Sequence, residues 1–374
     1  MSRANGEGSI YRRKDGRWAG AAYVLTPDGI RRRKTAYGKT RKEVCAKLAK
    51  MQESSRSGIA ATPGRLTVKA FLEAWMRDVQ EPRLSPATYQ TYEGYIRNHI
   101  VPALGSKPLG QLTASDLREF LGAKTREGKS AATVKQIHAI IRSALQHAMR
   151  EDLVPRNVAK LVVVSNPARR EVEPLTPEEA KRLLREAKGH DWEALWNLYI
   201  GLGLRRGEAL GLRWSDVDLE SSRLRVVQSL QRSRGELRLK SPKTDTSRRR
   251  IVVPSFCIDA LRRHHSSERV KLASLGLPMD STTLVFTSQA GTPIEPRNVN
   301  RAFEALLKKA KLRRVKLHDL RHTCASLLLA EGVAPRVVME LLGHSAIAVT
   351  MNTYSHVIPA LQDESAQRMD ALFR

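Results

Sequence analysis

The alternation of apolar and polar positions near the start of the chain predicts a small sheet followed by one helix. Ser9–Arg13 and Trp18–Leu25 have the pattern of strands, and Asp15-Gly16 between them is typical of a hairpin turn. Ile30–Ala36 is predicted as a third strand. The apolar spacing then changes to four and three residues, as in a helix, at Val44, Leu48 and Met51.

The next hundred residues, 66–165, carry the apolar spacing of helices almost throughout. Pro82 ends the first helix, and Ser85-Pro86 begins the second by placing an N-cap residue before a first-turn proline. Thr113–Leu121 and Ala132–Met149 add two more helices. This region is therefore predicted to be a helical bundle with its basic residues on the solvated faces.

A charged, proline-containing junction at Ser165–Pro174 precedes the third region, which opens with a capped helix at Thr176. Leu224–Leu230, Glu236–Lys240 and Arg250–Val253 are predicted to form a meander of three short strands, and helices dominate the rest. The expected fold class is mainly α with small β elements. We expect three domains: a sheet-and-helix domain at residues 1–58, a helical domain at 66–165, and a mixed α+β domain at 172–374.

Composition and charge narrow the range of partners. The chain has 374 residues, with 65 Lys and Arg against 38 Asp and Glu and a net charge of +27. The excess is densest in residues 1–60, where 15 basic side chains face 5 acidic ones. Charge this positive needs a polyanionic partner, and nucleic acid is the first expectation.

The same composition bears on where the protein works. No apolar run approaches the roughly 18 residues of a membrane span, and the polar, basic start lacks the apolar segment of a secretory signal. The three cysteines are too few and too scattered for a disulfide framework. We therefore expect a protein of the bacterial cytoplasm, associated with the nucleoid and not with a membrane.

The sequence lacks the residues that several kinds of chemistry require. There is no Walker loop for nucleotide hydrolysis. Asp216 and Asp218 could belong to a two-metal nuclease, but their place after Trp214 at a helix end favours capping or turn formation. His318 and His322 have the spacing of a zinc pair, yet the glutamate of a metalloprotease motif is absent. We expect neither a metal nor another cofactor.

Two tyrosines lie beyond residue 100. Tyr199 stands in an apolar segment and fits a core position. Tyr354 stands between Thr353 and Ser355, in a polar stretch, where an exposed tyrosine is the ordinary interpretation. Its chemical context is a series of basic and imidazole residues in the same region, at Arg205, Lys243, His318, Arg321 and His344.

This ordered series resembles the tyrosine recombinase family, also called the phage integrases, and especially the three-domain integrases of phages and integrative elements. The matching residues are Arg205 with Glu208 in the first arginine box, Lys243 in the strand hairpin, His318 with Arg321 in the HxxR box, His344, and Tyr354. The resemblance extends over residues 172–360, and to the upstream domains by architecture alone. Arg206 adjoins Arg205, so an exchange of their roles stays open, although the match to Glu208 favours Arg205.

The resemblance implies a site-specific recombinase that cleaves and rejoins DNA through a 3′-phosphotyrosyl intermediate. Arg205 and Arg321 can grip the non-bridging oxygens of a phosphodiester, and cations lower the cost of forming the Tyr354 phenolate. His318 would accept a proton or a hydrogen bond, Lys243 would protonate the leaving 5′-oxygen, and His344 would bind the phosphate. Because the covalent bond conserves the energy of the broken strand, neither ATP nor metal is expected.

The family also implies partners and an assembly. We expect a homotetramer on double-stranded DNA, with core and arm attachment sites, and an accessory DNA-bending or excision factor. The tail Pro359–Phe373 would dock on a neighbouring protomer by this likeness, whereas its apolar spacing is equally consistent with packing within its own chain. The N-terminal sheet resembles arm-binding domains, and its third strand suits the major groove through Arg31, Arg32, Arg33 and Lys34.

Integration of a mobile element, with excision by the same chemistry, is thus the leading hypothesis. The alternatives with the same chemistry are a Xer-like resolvase, against which the extra N-terminal domain argues, a transposase, and a type IB topoisomerase. An alternative from another class is a non-catalytic DNA-binding regulator that keeps the fold.

Overall fold

The computed structural model describes residues 9–25, 31–56, 66–166, 173–233, 235–241, 248–343 and 369–373. The chain forms two compact units, residues 1–169 and 170–374, and their boundary lies within the predicted junction. The division of the first unit into residues 1–58 and 66–165 stays a prediction. None of the helices in these described ranges is long and apolar enough to cross a membrane.

The N-terminal sheet has the predicted three antiparallel strands in the order β1 (Ser9–Arg12), β2 (Trp18–Leu25) and β3 (Arg31–Gly38). Helix α1 (Arg41–Arg56) covers one face of this sheet. The approach is close because Gly20 has no side chain: a Cβ there would lie 2.6 Å from Leu48 Cδ1.

The helical part of the first unit surrounds a separate apolar core. Its α-helices are α2 (Val68–Ala74), α3 (Pro86–Tyr95), α4 (Val101–Leu104), α5 (Ala114–Arg126) and α6 (Ala131–Arg150). Short π-helical segments at Trp75–Gln80 and Ile96–Ile100 continue α2 and α3. Helix α3 begins at Pro86 as predicted, but Ser85 makes no side-chain cap and its Oγ lies 2.9 Å from Thr88 Oγ1.

The second unit is mixed, as predicted, and has its own core. Its helices are α7 (Pro177–Ala187), α8 (Glu193–Leu202), α9 (Arg206–Leu210), α10 (Ser255–Ser274), α11 (Pro296–Lys309), α12 (Asp319–Ala330) and α13 (Pro335–Leu342). Its strands are β4 (Val217–Asp218), β5 (Arg223–Val226), β6 (Ser229–Ser233), β7 (Glu236–Lys240) and β8 (Arg249–Val252). Thr176 caps α7 through a reciprocal pair of hydrogen bonds with Glu179.

The predicted three-stranded meander is wrong in its pairing. Strand β5 pairs with β4 and β8, whereas β6 pairs with β7 in a separate two-stranded sheet. The predicted strand Leu224–Leu230 is broken because Gln228 donates its side-chain amide to the Gly211 carbonyl at 2.7 Å. Gly211 also lies against Ser229 and Leu230, so this tertiary contact separates β6 from the first sheet.

Candidate active site

Arg205 is placed by the short turn between α8 and α9. Helix α8 ends at Gly203, whose φ of 59° is left-handed and whose Cβ position would lie 2.5 Å from Leu342 Cδ2. Arg205 then occupies the N-cap of α9 with an extended backbone. Glu208, one turn later, accepts from the Arg205 backbone amide at 3.0 Å and from its Nη1 at 2.7 Å. The spacing of Arg205 and Glu208 in the sequence is therefore a capping arrangement as well as an ion pair.

Arg321 reaches the same place from the first turn of α12. It is 3% exposed, and it donates through Nη1 to the Gly203 carbonyl at 2.8 Å and through Nη2 to the Leu342 carbonyl at 2.5 Å. Arg205 donates through Nη2 to the adjacent Gly343 carbonyl at 3.0 Å. The two arginines, which are more than a hundred residues apart in sequence, thus converge on one pair of carbonyls at the end of α13.

A third arginine in this cluster, Arg249, was missed by sequence reasoning. At the start of β8 it donates through Nη2 to Glu208 Oε2 at 2.9 Å and through Nε to the Leu341 carbonyl at 2.6 Å. The run of three arginines around it suggests a solvated segment. Strand alternation was the available signal, because Arg249 has the same parity as Ile251 and Val253, which are buried.

Glu208 is the buried anion of the cluster. Burial alone raises the pKa of its carboxyl group, but the hydrogen bonds and charge of Arg249, followed by the charge and amide of Arg205, lower that pKa below its ordinary value. Glu208 therefore stays ionised, and two guanidiniums share its charge.

His318 is the N-cap residue of α12, and part of its surface is exposed to solvent. Burial lowers its pKa from 6.5, and the nearby charge of Arg321 lowers it further, so the neutral imidazole is the favoured form at pH 7. The ring of His322 lies 5.5 Å away, edge to face, and burial also lowers the pKa of His322. Within the described ranges, no three His, Cys, Asp or Glu side chains come together as a metal site.

The structure separates Arg205 from Arg206. Arg206 donates through Nη1 to Asn300 Oδ1 at 3.0 Å. It lines a cavity of about 610 Å³ together with Tyr199 and His318. Arg205 is thus the member of this pair that is bonded to Glu208, and its preference over Arg206 stays a prediction that this contact supports.

The remaining sequence-predicted residues fall into two groups. Lys243, His344 and Tyr354 lie outside the described residues, as does most of the tail. Tyr199 is 2% exposed and belongs to the core, as predicted. Asp216 accepts from Arg213 and Asp218 from Ser221, so both serve turns and caps, which was the favoured interpretation.

Two of the basic residues of β3, Arg33 and Lys34, lie on opposite faces of the sheet. Lys34 pairs in register with Ala22, and Gly20, two residues earlier, faces α1. Arg33 pairs with Tyr23, whose side chain is 68% exposed on the open face. Arg31 and Arg32 pair in register with Leu25 and Val24. Tyr11 and Tyr37 also expose about half of their surface on the open face (49% each).

A second basic surface lies on the helical part of the first unit. A broad groove runs between α6 and the segment that follows it. The cations that line this groove are Arg83, Lys135, Arg142, Arg150 and Lys160. Its concave shape and charge suit a nucleic-acid backbone.

Comparison with known proteins gives consistent matches. The model of the phage integrase family matches residues 173–360, and the model of the phage integrase N-terminal SAM-like domain matches residues 67–124. The tyrosine recombinase XerC-like protein of Caldanaerobacter subterraneus subsp. tengcongensis is 31% identical over 360 residues, which cover 91% of this chain and 92% of that protein.

Two further matches extend over most of the chain. An integrase of Streptomyces ambofaciens is 29% identical over 387 residues, covering 100% of this chain and 98% of the relative. The Tn1549 transposon integrase in complex with transposon right end DNA has a TM-score of 0.71 and 23% identity, over 83% of this chain and 100% of that one. At that identity, the structural likeness shows a shared fold.

Proposed function

The chain belongs to the phage integrase family and is a site-specific recombinase of the tyrosine type; from this premise we propose how its residues divide the reaction. Tyr354 is the nucleophile, and Arg205 and Arg321 bind the scissile phosphate. The observation that carries this proposal is that Arg205, paired with Glu208, converges with Arg321 at the end of α13, twelve residues before Tyr354.

The proposed cleavage balances without an added oxidant or energy source. The Tyr354 phenolic oxygen attacks phosphorus, the bond from phosphorus to the 5′-oxygen breaks, and a 3′-phosphotyrosyl bond remains. Neutral His318 accepts the phenolic proton, and Lys243 gives a proton to the leaving 5′-oxygen. His344 adds a hydrogen bond to the phosphate. Rejoining reverses these steps with a 5′-hydroxyl from another strand, so the reaction uses neither metal nor ATP.

Arg205 and Arg321 supply what the transition state requires. A pentavalent phosphorane carries more negative charge than the ground state, and preorganised guanidiniums stabilise that extra charge. Arg205 has 39% of its side chain exposed although it is hydrogen-bonded on two sides. This combination of fixed orientation and access supports a role in direct phosphate contact.

DNA contact outside the active site is proposed for two surfaces. The groove on the helical part would follow the backbone of the core site. The open face of the sheet would enter the major groove at arm sites, where Arg33 is favoured over Lys34 by strand alternation. Exposed tyrosines on that face can donate to phosphate oxygens.

We further propose that four copies of the chain exchange strands at the nucleoid to integrate, and by reversal excise, a mobile element. An accessory bending or excision factor would set the direction. A topoisomerase and a non-catalytic regulator are not favoured, because the family relatives are recombinases and integrases along nearly the whole chain.

The test is covalent capture. The protein is incubated with a pool of nicked duplexes of randomised sequence, denatured in SDS, and the attached DNA is sequenced. We expect an adduct with a consensus sequence that forms in EDTA and without ATP. Tyr354→Phe should abolish it, and Tyr199→Phe, a core variant, should not. An adduct with Tyr354→Phe would refute the nucleophile, and no adduct with the wild type would favour the regulator.

A further inference from the structure

Three arginines bind three consecutive carbonyls at the end of α13. Arg249 Nε donates to Leu341 at 2.6 Å, Arg321 Nη2 to Leu342 at 2.5 Å, and Arg205 Nη2 to Gly343 at 3.0 Å. The last carbonyls of a helix lack intrahelical partners and carry the negative end of its dipole, so cations are favoured there. Gly343 ends the helix with a φ of 66°, and His344 follows directly.

Arg249 differs from Arg205 in its access to solvent. Its side chain is 7% exposed, whereas that of Arg205 is 39% exposed. Each of the three guanidinium nitrogens of Arg249 donates within the cluster, to Glu208 or to the Leu341 carbonyl, so we assign it no direct contact with DNA. Its guanidinium instead lies against both carboxylate oxygens of Glu208, at 3.3 and 2.9 Å.

Glu208 connects the two arginines. Its Oε1 accepts from Arg205 Nη1 at 2.7 Å, and its Oε2 accepts from the Arg205 backbone amide at 3.0 Å. A buried carboxylate with a single guanidinium partner binds that partner strongly. Because Arg249 supplies a second positive charge, the charge of Arg205 is only partly neutralised by Glu208 and remains available to an anion outside.

We propose that Arg249 is a positioning residue for strand cleavage. It shares the charge of Glu208 with Arg205 and holds the end of α13, from which the segment carrying His344 and Tyr354 continues. This inference rests on the proposed function, since it assigns Arg249 a part in the same phosphate chemistry. Loss of Arg249 should leave Glu208 to neutralise more of the charge of Arg205, and it should release the Leu341 carbonyl.

The first test separates DNA binding from cleavage. With captured duplexes as substrate, Arg249→Ala should slow single-turnover adduct formation about 10²-fold, the cost of misplacing a reacting group, while DNA affinity changes little. Arg250→Ala, on the same strand and exposed, removes the same charge and should cleave at the wild-type rate. Arg249→Lys should fall between them, because lysine keeps the charge but lacks the planar fork. It also serves as the test if Arg249→Ala does not fold.

The second test asks whether Arg249 acts through Glu208. Glu208→Gln removes the charge that Arg249 shares, so the double variant should cleave no more slowly than the slower single variant. Additive losses of cleavage rate in the double variant would overturn the inference and leave the proposed function intact. The same holds if Arg249→Ala and Arg249→Lys both cleave at the rate of Arg250→Ala. Absence of any wild-type adduct would overturn both.

Discussion

The two units of the chain use arginine in opposite physical settings. On the open face of the N-terminal sheet, Arg33 is exposed beside Tyr23, where water solvates its charge. In the second unit, Arg249 and Arg321 are buried and bonded to a carboxylate and to backbone carbonyls. Exposed charges are screened by salt, whereas buried charges need partners that also fix their orientation. Cations on the sheet thus suit affinity for a polyanion, and cations in the cluster suit the geometry of one phosphate.

Replacing Arg321 should give the largest effect. Arg321→Ala removes the donor to the Gly203 and Leu342 carbonyls and one of the two proposed phosphate ligands. We expect single-turnover cleavage to fall about 10²–10³-fold and the melting temperature to drop, because buried carbonyls lose their donor. Rates are measured below the melting temperature. Arg314→Ala, with 88% of its side chain exposed, is the control for charge and should cleave normally. An equal loss of cleavage rate in Arg321→Ala and Arg314→Ala would contradict the distinction between arginines of the cluster and exposed arginines.

The second-largest expected effect is that of acid on the rate of cleavage. Because the pKa of His318 is lowered from 6.5 by burial and by Arg321, neutral His318 persists at pH 7 and gains its proton only below pH 6.5. We expect cleavage to decline as pH falls through that lowered pKa, by about tenfold for each pH unit beneath it. The stability of the fold should change in the same direction. Below pH 6.5 the unfolded chain protonates His318 more readily than the folded state does, so stability decreases as the pH falls.

The histidine responsible can be identified by substitution. His318→Gln should remove the acid limb of the pH–rate profile at a reduced rate. His322→Gln, the neighbour with a similarly lowered pKa, should retain that limb. A profile whose acid limb survives in His318→Gln would exclude His318 as the proton acceptor.

Removing Arg33 should give the smallest effect and a different kind of effect. Arg33→Ala should weaken binding of arm-site DNA several-fold and reduce the slope of log K against log salt by about 1, the value for one lost phosphate contact. Cleavage of an isolated core site should not change. Lys34→Ala, of opposite strand parity, should have a weaker effect on the slope. Equal slopes for both variants would mean that both faces of β3 meet DNA.

Local patterns were sufficient to predict most elements. The hairpin at Gly16, the capped start of α7 at Thr176, and the burial of Tyr199 follow from residues within one or two turns of each other. The predictions were wrong where a distant group intervened. Gln228 and Gly211 break a strand whose own residues favour continuation, and no local pattern contains that contact.

The candidate site shows the same division. The family resemblance indicated Arg205, Glu208, His318 and Arg321, but it left an exchange between Arg205 and Arg206 open. In the structure Arg206 contacts Asn300, which supports Arg205 as the partner of Glu208. Arg249 was hidden within a run of arginines, although its strand parity pointed inward. Sequence patterns carry charge and periodicity, whereas the assignment of a guanidinium to one carboxylate depends on which helices meet.

The sequence by itself determined the +27 charge that demands a polyanion, the order of helices and strands, and the series of basic and imidazole residues before Tyr354. Each is a property of composition or of neighbours along the chain. The tertiary structure decided which arginines are buried, which carbonyls at the end of α13 they bind, and which guanidinium remains exposed. Burial makes that difference, because a charge removed from water must be satisfied by groups that only folding brings within reach.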